Sequence, residues 1–212
     1  MNKMDLFDKI EQLVNRDTLF ICISGASCSG KSTFAKEIAK YFSYLNPLVL
    51  CEDRWYKDLV DIPLGFNGYY DMESEDSFWV DEFRDDVENI RVTKEWLIPQ
   101  YEISTNKRLS KGERVRMSKM VILEGLHTID IFRHLDNVCS VLYIYLDTDK
   151  DICVYRRIKR DTSMFDVDEK RVDFHYRNVI WENYKYWYNL QKDIVSLKGS
   201  RGVILNDKAG SL

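Results

Sequence analysis

The sequence predicts an α/β protein built on a parallel sheet covered on both faces. Three observations lead there. Short apolar runs of strand length recur along the chain, helical patterns separate them, and a glycine-rich loop joins the first run to the helix that follows. That first run, Leu19-Phe20-Ile21-Cys22-Ile23, leads into Gly25-Ala26-Ser27-Cys28-Ser29-Gly30-Lys31-Ser32-Thr33. The spacing G-x-x-x-x-G-K-S is that of a phosphate-binding loop. Its backbone N–H groups wrap a β-phosphate, Lys31 reaches the β and γ oxygens, and the Ser32 hydroxyl serves Mg2+. Gly25 and Gly30 permit backbone angles and close approaches that a Cβ would obstruct, and Lys31 opens a helix whose positive N-terminal end faces the phosphates.

The elements follow in chain order. Leu6, Phe7, Ile10, Leu13 and Val14 stand at helical spacing, so Met4 to Asn15 reads as an amphipathic packing helix. A strand from Leu19 to Ser24 comes next, then the loop, then a helix from about Lys31 to Phe42 with Phe34, Ala35, Ile38, Ala39 and Phe42 as its buried stripe. Pro47 to Cys51 is a second buried strand, and similar runs recur at Met120 to Leu123, Ser140 to Leu146 and, more weakly, Gly202 to Leu205. The stretch 54–119 has few clear strands, many aromatic and charged residues, and no Pro/Gly/Ser-rich linker or repeat. It is expected to be a substrate-covering insertion within a single domain spanning 1–212. Lys150 to Lys192 is patterned as helix, with a lid expected over 156–175.

Composition narrows the partners. The 212 residues are 45% hydrophobic with a formal net charge of −4. That balance excludes a general polyanion binder, since phosphate-backbone affinity needs clustered Lys and Arg, so a small-molecule substrate is expected and nucleic acid is not. No run of 18 apolar residues and no signal-peptide core is seen, which reads as a cytoplasmic chain without membrane contact. Cys22, Cys28, Cys51, Cys139 and Cys153 have no C-x-x-C or finger spacing and read as reduced thiols, Cys28 as a small residue tolerated in the loop. His127, His134 and His175 have no ligand spacing, so no zinc site is expected. Two fragments, Asn2-Lys3-Met4-Asp5 and Asp207-Lys208-Ala209-Gly210, superficially match guanine-nucleotide motifs but stand in the wrong order along the chain.

Ligands of parallel sheets bind beyond the carboxyl ends of the strands. Those ends carry Ser24-Gly25, Glu52-Asp53, Glu124-Gly125 and Asp147, which would bring acidic groups to the edge that holds the loop. Glu124 ends the run Val121-Ile122-Leu123 and is a candidate to hold Mg2+ directly or through water. Asp53 is the candidate general base for an attacking hydroxyl, with metal binding as its other role. In Arg156-Arg157-Ile158-Lys159-Arg160, the arginines occupy more than one helix face and are candidates to neutralise charge on a transferred phosphoryl group. Most of the dense aromatics are packing residues. Tyr56, Tyr70 and Tyr101, close to candidate charged residues, are the exceptions proposed to stack on a flat ring.

From about Thr18 to Leu190 the chain resembles the uridine kinase and phosphoribulokinase family of P-loop kinases. The stretches that carry the likeness are the loop at 25–32, Asp53-Arg54-Trp55-Tyr56, Tyr70-Asp71, Ile98-Pro99-Gln100-Tyr101-Glu102 with Arg108, Glu124-Gly125-Leu126, and Arg156 to Asp161. The resemblance implies a P-loop NTPase three-layer sandwich with a five-stranded parallel core and a helical lid. It also implies ATP and Mg2+ as cofactors and transfer to a hydroxyl of a nucleoside or similar riboside. On it, Asp53 is the base, Asp71 holds ribose hydroxyls, Tyr101 lines the base pocket, Arg108 is a substrate-binding residue, and Arg157 and Arg160 belong to the lid.

The chain also departs from the family. Asn106 stands where uridine kinases have His, Ile103 replaces an aromatic, Phe165-Asp166-Val167 replaces the Arg-Gly-Arg of the lid, and His175 aligns with a Gln. Those positions read the base and close the lid, so the acceptor is less defined than the reaction. Nicotinamide riboside kinases, with a similar Tyr-Asp pair, are the close alternative. A nucleotide-binding regulator that has lost efficient transfer is the alternative of another class. Related enzymes are often homo-oligomers, but no interface is marked in the sequence.

Overall fold

The computed structural model describes residues 3–65 and 68–207. Phe66 and the Lys208-Ala209-Gly210 part of the second guanine-like fragment, with Asn2 of the first, lie outside them. Helix α1 (Lys3–Val14) leads to strand β1 (Leu19–Gly25), the loop, helix α2 (Lys31–Tyr41) and strand β2 (Leu48–Cys51). Segment 54–119 is more structured than its composition indicates. It carries helix α3 (Val80–Thr93) and four short strands, β3 (Glu95–Ile98), β4 (Tyr101–Glu102), β5 (Lys107–Arg108) and β6 (Glu113–Arg116), with β3 antiparallel to β6 and β4 to β5. Strand β7 (Met120–Gly125), the short helix α4 (Thr128–Ile131) and strand β8 (Ser140–Thr148) return to the core. Helices α5 (Lys150–Met164), α6 (Glu169–His175) and α7 (Trp181–Leu197) precede the last strand, β9 (Gly202–Asp207). A π-helical turn, Tyr176–Ile180, joins α6 to α7.

The main sheet has five strands in the order β2-β7-β1-β8-β9, every neighbouring pair parallel. All seven residues of β1 and all six of β7 are buried, which is why these strands read as unbroken apolar runs and not as alternating ones. On one face Phe20, Cys22, Leu123 and Tyr143 pack with Phe83, Val87 and Ile90 of α3 and Ile194 of α7. On the other, Ile21, Ile23, Ile122 and Leu142 meet Leu6 and Ile10 of α1 and Phe34 and Ile38 of α2. Burying each of these side chains contributes roughly 1.5–3 kcal/mol before chain entropy is subtracted. Two apolar faces against two helical layers give the α/β/α sandwich.

Register places the chemistry. Ile23 and Cys51 both pair with Glu124, so the ends of β1, β2 and β7 are level and their following turns share one edge. The expected fourth contribution is different: Asp147 accepts from Lys192 Nζ at 2.8 Å and from Tyr188 Oη at 2.9 Å. It anchors α7 to the sheet.

Candidate active site

The loop is shaped as its spacing requires. Cys28 and Gly30 take φ of 63° and 104°, left-handed values that are ordinary for glycine and costly for cysteine. A Cβ on Gly25 would stand 2.7 Å from Ser29 Oγ and 2.8 Å from the Leu146 carbonyl, so only glycine fits that corner. Lys31 Nζ donates to the carbonyls of Gly25 and Ala26 at 3.0 and 2.9 Å, which folds its ammonium over the loop. Ser32 and Thr33 lie exposed in the first turn of α2, Ala26 is buried, Ser27 is partly buried, and the buried Ser29 Oγ has no hydrogen-bond partner. The Ser29 carbonyl accepts from Thr148 Oγ1 and Arg156 Nη1, pinning the loop to β8 and α5.

Opposite the loop, Asp53 sits in the turn Glu52–Trp55 that ends β2. Burial and the nearby Glu124 carboxylate raise its pKa to about 6, against the pull of Lys31 and Arg160. Asp53 and Glu124, with Lys31 near Asp53 and the Ser32 hydroxyl exposed at the start of α2, offer hard oxygen donors of the kind Mg2+ takes. Among the described residues no group of three or more His, Cys, Asp or Glu side chains is placed to hold a metal by itself, so a cation here would share its shell with phosphate oxygens and water.

Arg157 Nε bonds Asp161 Oδ2 at 2.5 Å, its Nη1 reaches Ser27 Oγ, and Arg160 Nε takes the other Asp161 oxygen at 2.9 Å. One buried carboxylate therefore holds both candidate lid arginines. Arg156, on another face, is paired with Asp207.

Aromatic side chains gather near Asp53. Tyr56 stacks on Phe78 with centroids 4.0 Å apart, lies 5.5 Å from Tyr101 and donates to the Met72 carbonyl at 3.0 Å. Tyr101 Oη is buried without a partner, and burial with Asp58 and Asp53 nearby pushes it to about 12. Asp71 accepts from Asn183 Nδ2 of α7 at 2.8 Å. Asn106 takes φ of 50° and its carbonyl accepts from the Leu59 N–H. His175 sits edge-on to Tyr69, and burial together with Arg157 and Arg171 lowers its pKa. Arg108 is committed elsewhere: both its Nη atoms meet the Glu82 carboxylate, and its N–H donates to Asp58. Tyr70 is exposed.

Several residues at this edge carry no obvious signal in sequence. Tyr176 Oη donates to the Ser27 carbonyl at 2.6 Å from the π-helical turn, a deformation often found at functional sites. Glu73 is buried, and burial with Asp71 raises its carboxyl to about 7 against the influence of Arg157 and His127. Glu52 and His127, both fully buried, bond at 2.8 Å. Glu52 was visible as a strand-end acid and His127 as a histidine three residues after Glu124, but neither spacing says that they meet.

A phosphate loop on a parallel sheet, facing paired carboxylates and a basic helix, defines a P-loop phosphotransferase. The model of the Phosphoribulokinase / Uridine kinase family matches residues 20–186, and the chain belongs to that family. Uridine kinase of Ureaplasma parvum is 30% identical over 149 residues, covering 70% of this chain and 71% of that enzyme. Uridine kinase of Schizosaccharomyces pombe is 28% identical over 191 residues, 88% of this chain and 41% of the yeast protein. Among solved structures, D-glycerate 3-kinase from Cryptococcus neoformans superposes with a TM-score of 0.61 at 14% identity, covering 97% of this chain and 96% of that one. Phosphoribulokinase from Rhodobacter spheroides does so at 0.52 and 12%, covering 80% and 67%. Those two show a shared fold. The family match makes the chain an ATP-dependent small-molecule kinase, nucleoside kinase-like in its relatives. No described helix is long and apolar enough to cross a membrane.

Proposed function

We propose that this kinase transfers the γ-phosphoryl group of ATP to a hydroxyl of a nucleoside or nucleoside-like riboside. The observation that carries the reading is Asp53, a carboxylate held beside Glu124 and Lys31 at the mouth of the phosphate loop with its pKa raised to about 6. A base that titrates near neutrality is deprotonated at working pH and still able to take a proton.

Residues 25–33 hold the triphosphate through backbone N–H groups and Lys31. Ser32, Glu124 and Asp53 fit Mg2+, which when bound neutralises phosphate charge. Asp53 accepts the proton of the attacking hydroxyl. Arg157 and Arg160, pre-set by Asp161, face charge on the group in transit. Asp71 takes ribose hydroxyls, its orientation set by Asn183. Tyr56 and Tyr101 flank the base of the acceptor, with Asn106 and His175 at its polar edge. Arg108, already committed to Glu82, supports the β4–β5 ribbon beneath Tyr101 instead of reading the acceptor. A nicotinamide riboside-like acceptor is the alternative, which the assay below includes.

Acceptor-dependent ATP consumption with Mg2+ tests the reading, using uridine, cytidine, other nucleosides and nicotinamide riboside, each beside Asp53→Asn. Turnover that depends on one of these and is lost in the variant supports it. Tight ATP binding without acceptor-dependent turnover would replace it with the regulator reading.

A further inference from the structure

His127 joins the two halves of this site. Its imidazole is fully buried and spans two segments distant in sequence: Nδ1 lies 2.8 Å from Glu52 Oε1, and Nε2 lies 2.9 Å from the Glu73 carbonyl. A carbonyl only accepts, so Nε2 carries hydrogen, and Nδ1 and Glu52 share one further proton between them. Glu52 is held from other sides too. Its Oε2 accepts the His127 N–H at 2.9 Å and faces Thr128 Oγ1, and glycine at 125 is what lets the carboxylate lie against β7. Glu52 precedes Asp53 in the same tight turn, and Glu73 follows Asp71 by two residues. Phe78 and Trp187 pack edge-on against the ring and fix its plane.

We infer that His127 is a positioning residue, setting Asp53 through Glu52 on its Nδ1 side and the Asp71 segment through the Glu73 carbonyl on its Nε2 side. Neither link touches the loop, so donor binding is independent of both. The inference rests on the roles proposed above for Asp53 and Asp71.

The two ring nitrogens allow the links to be cut separately. The Asn amide nitrogen stands near the place of Nδ1 and the Gln amide nitrogen near that of Nε2. His127→Asn keeps the Glu52 bond and releases the Glu73 carbonyl, so its loss falls mainly on the acceptor KM, which rises about 10-fold, as for a buried carbonyl left without its partner. His127→Gln keeps Glu73 and cuts the bond to Glu52 Oε1, leaving Oε2 on the backbone N–H, so its loss falls mainly on kcat, up to about 10²-fold for a misplaced base. ATP affinity stays within about twofold in both, since neither change reaches the loop.

Hydrogen exchange gives the same contrast without turnover. Amides at 71–78 lose protection in His127→Asn, and those at 51–56 lose it in His127→Gln. Variants that shift KM and kcat alike, or deprotect both segments alike, overturn the inference and leave His127 a core residue. If the wild type phosphorylates no riboside while exchange still separates the variants, the coupling stands and the proposed substrate falls.

Discussion

Arg157 Nη1 lies 3.1 Å from Ser27 Oγ, so the basic helix already touches the phosphate loop. Asp161 fixes the same guanidinium from behind, which orders the arm in advance and reduces the entropy lost when it meets charge. Arg157→Ala is expected to lower kcat by about 10²-fold with a much smaller effect on ATP affinity. Arg157→Lys should recover only part of that, because a point charge cannot bond Asp161 and Ser27 as a fork does. Steady-state kinetics beside ATP titration decides it, and equal loss in KM for ATP and in kcat would make Arg157 a simple donor-binding residue.

Asp53→Asn should lower turnover by about 10²–10⁴-fold, the range for a general base, while ATP binding is kept. The same variant should be more stable than the wild type near neutral pH, because it removes a partly buried charge beside Glu124. Melting temperature read together with activity tests both halves. A variant that is inactive and less stable would mean that the carboxylate supports the fold.

The pH dependence has a definite sign. Asp53 moves from 3.8 to about 6 and Glu73 from 4.5 to about 7, both through burial first. Folded protein therefore binds more protons than unfolded protein between about pH 4 and 7, and these two groups make stability fall as pH rises through that window. Denaturation of wild type and Glu73→Gln at pH 5 and pH 8 isolates the effect, and the variant should gain more at pH 8. Activity runs the other way: kcat/KM should rise with pH and level off above about 6 as Asp53 ionises. A profile flat from pH 5 to 8 would remove Asp53 as the base.

How much of this was legible in the chain depends on range. The sheet was, because strands buried on both faces leave apolar runs such as Val121-Ile122-Leu123, and acids standing at the ends of those runs made Asp53 and Glu124 visible. Helix α3 was also readable in principle, since Phe83, Val87 and Ile90 recur at helical spacing inside a segment dominated by charge. The two-residue strands β4 and β5 leave no period to read. Asp147 shows the converse limit: the apolar run ends at Leu146 but the strand continues to Thr148, and Lys192 and Tyr188, more than 40 residues later, decide where its carboxylate points. Glu52 and His127 are 75 residues apart, and only the fold brings them together.

Gly125 is the position where this packing is tightest. A Cβ there would stand 1.9 Å from Glu52 Oε2 and 2.3 Å from Glu52 Cβ, so alanine must displace the carboxylate and the turn that carries Asp53. Gly125→Ala is expected to cost about 1–3 kcal/mol of stability, the range for overpacking a filled core. It should also reduce kcat well beyond its effect on ATP binding, since Glu124 and the loop keep their strands. Glu52→Gly removes the obstructing atoms, and in that background the added methyl has space. The two substitutions should therefore be non-additive, with the second costing far less in the presence of the first. Chemical denaturation of the four proteins in the cycle measures the coupling. Full additivity would mean that the turn absorbs the methyl by moving as a unit, and that Gly125 is not what holds Glu52 in place.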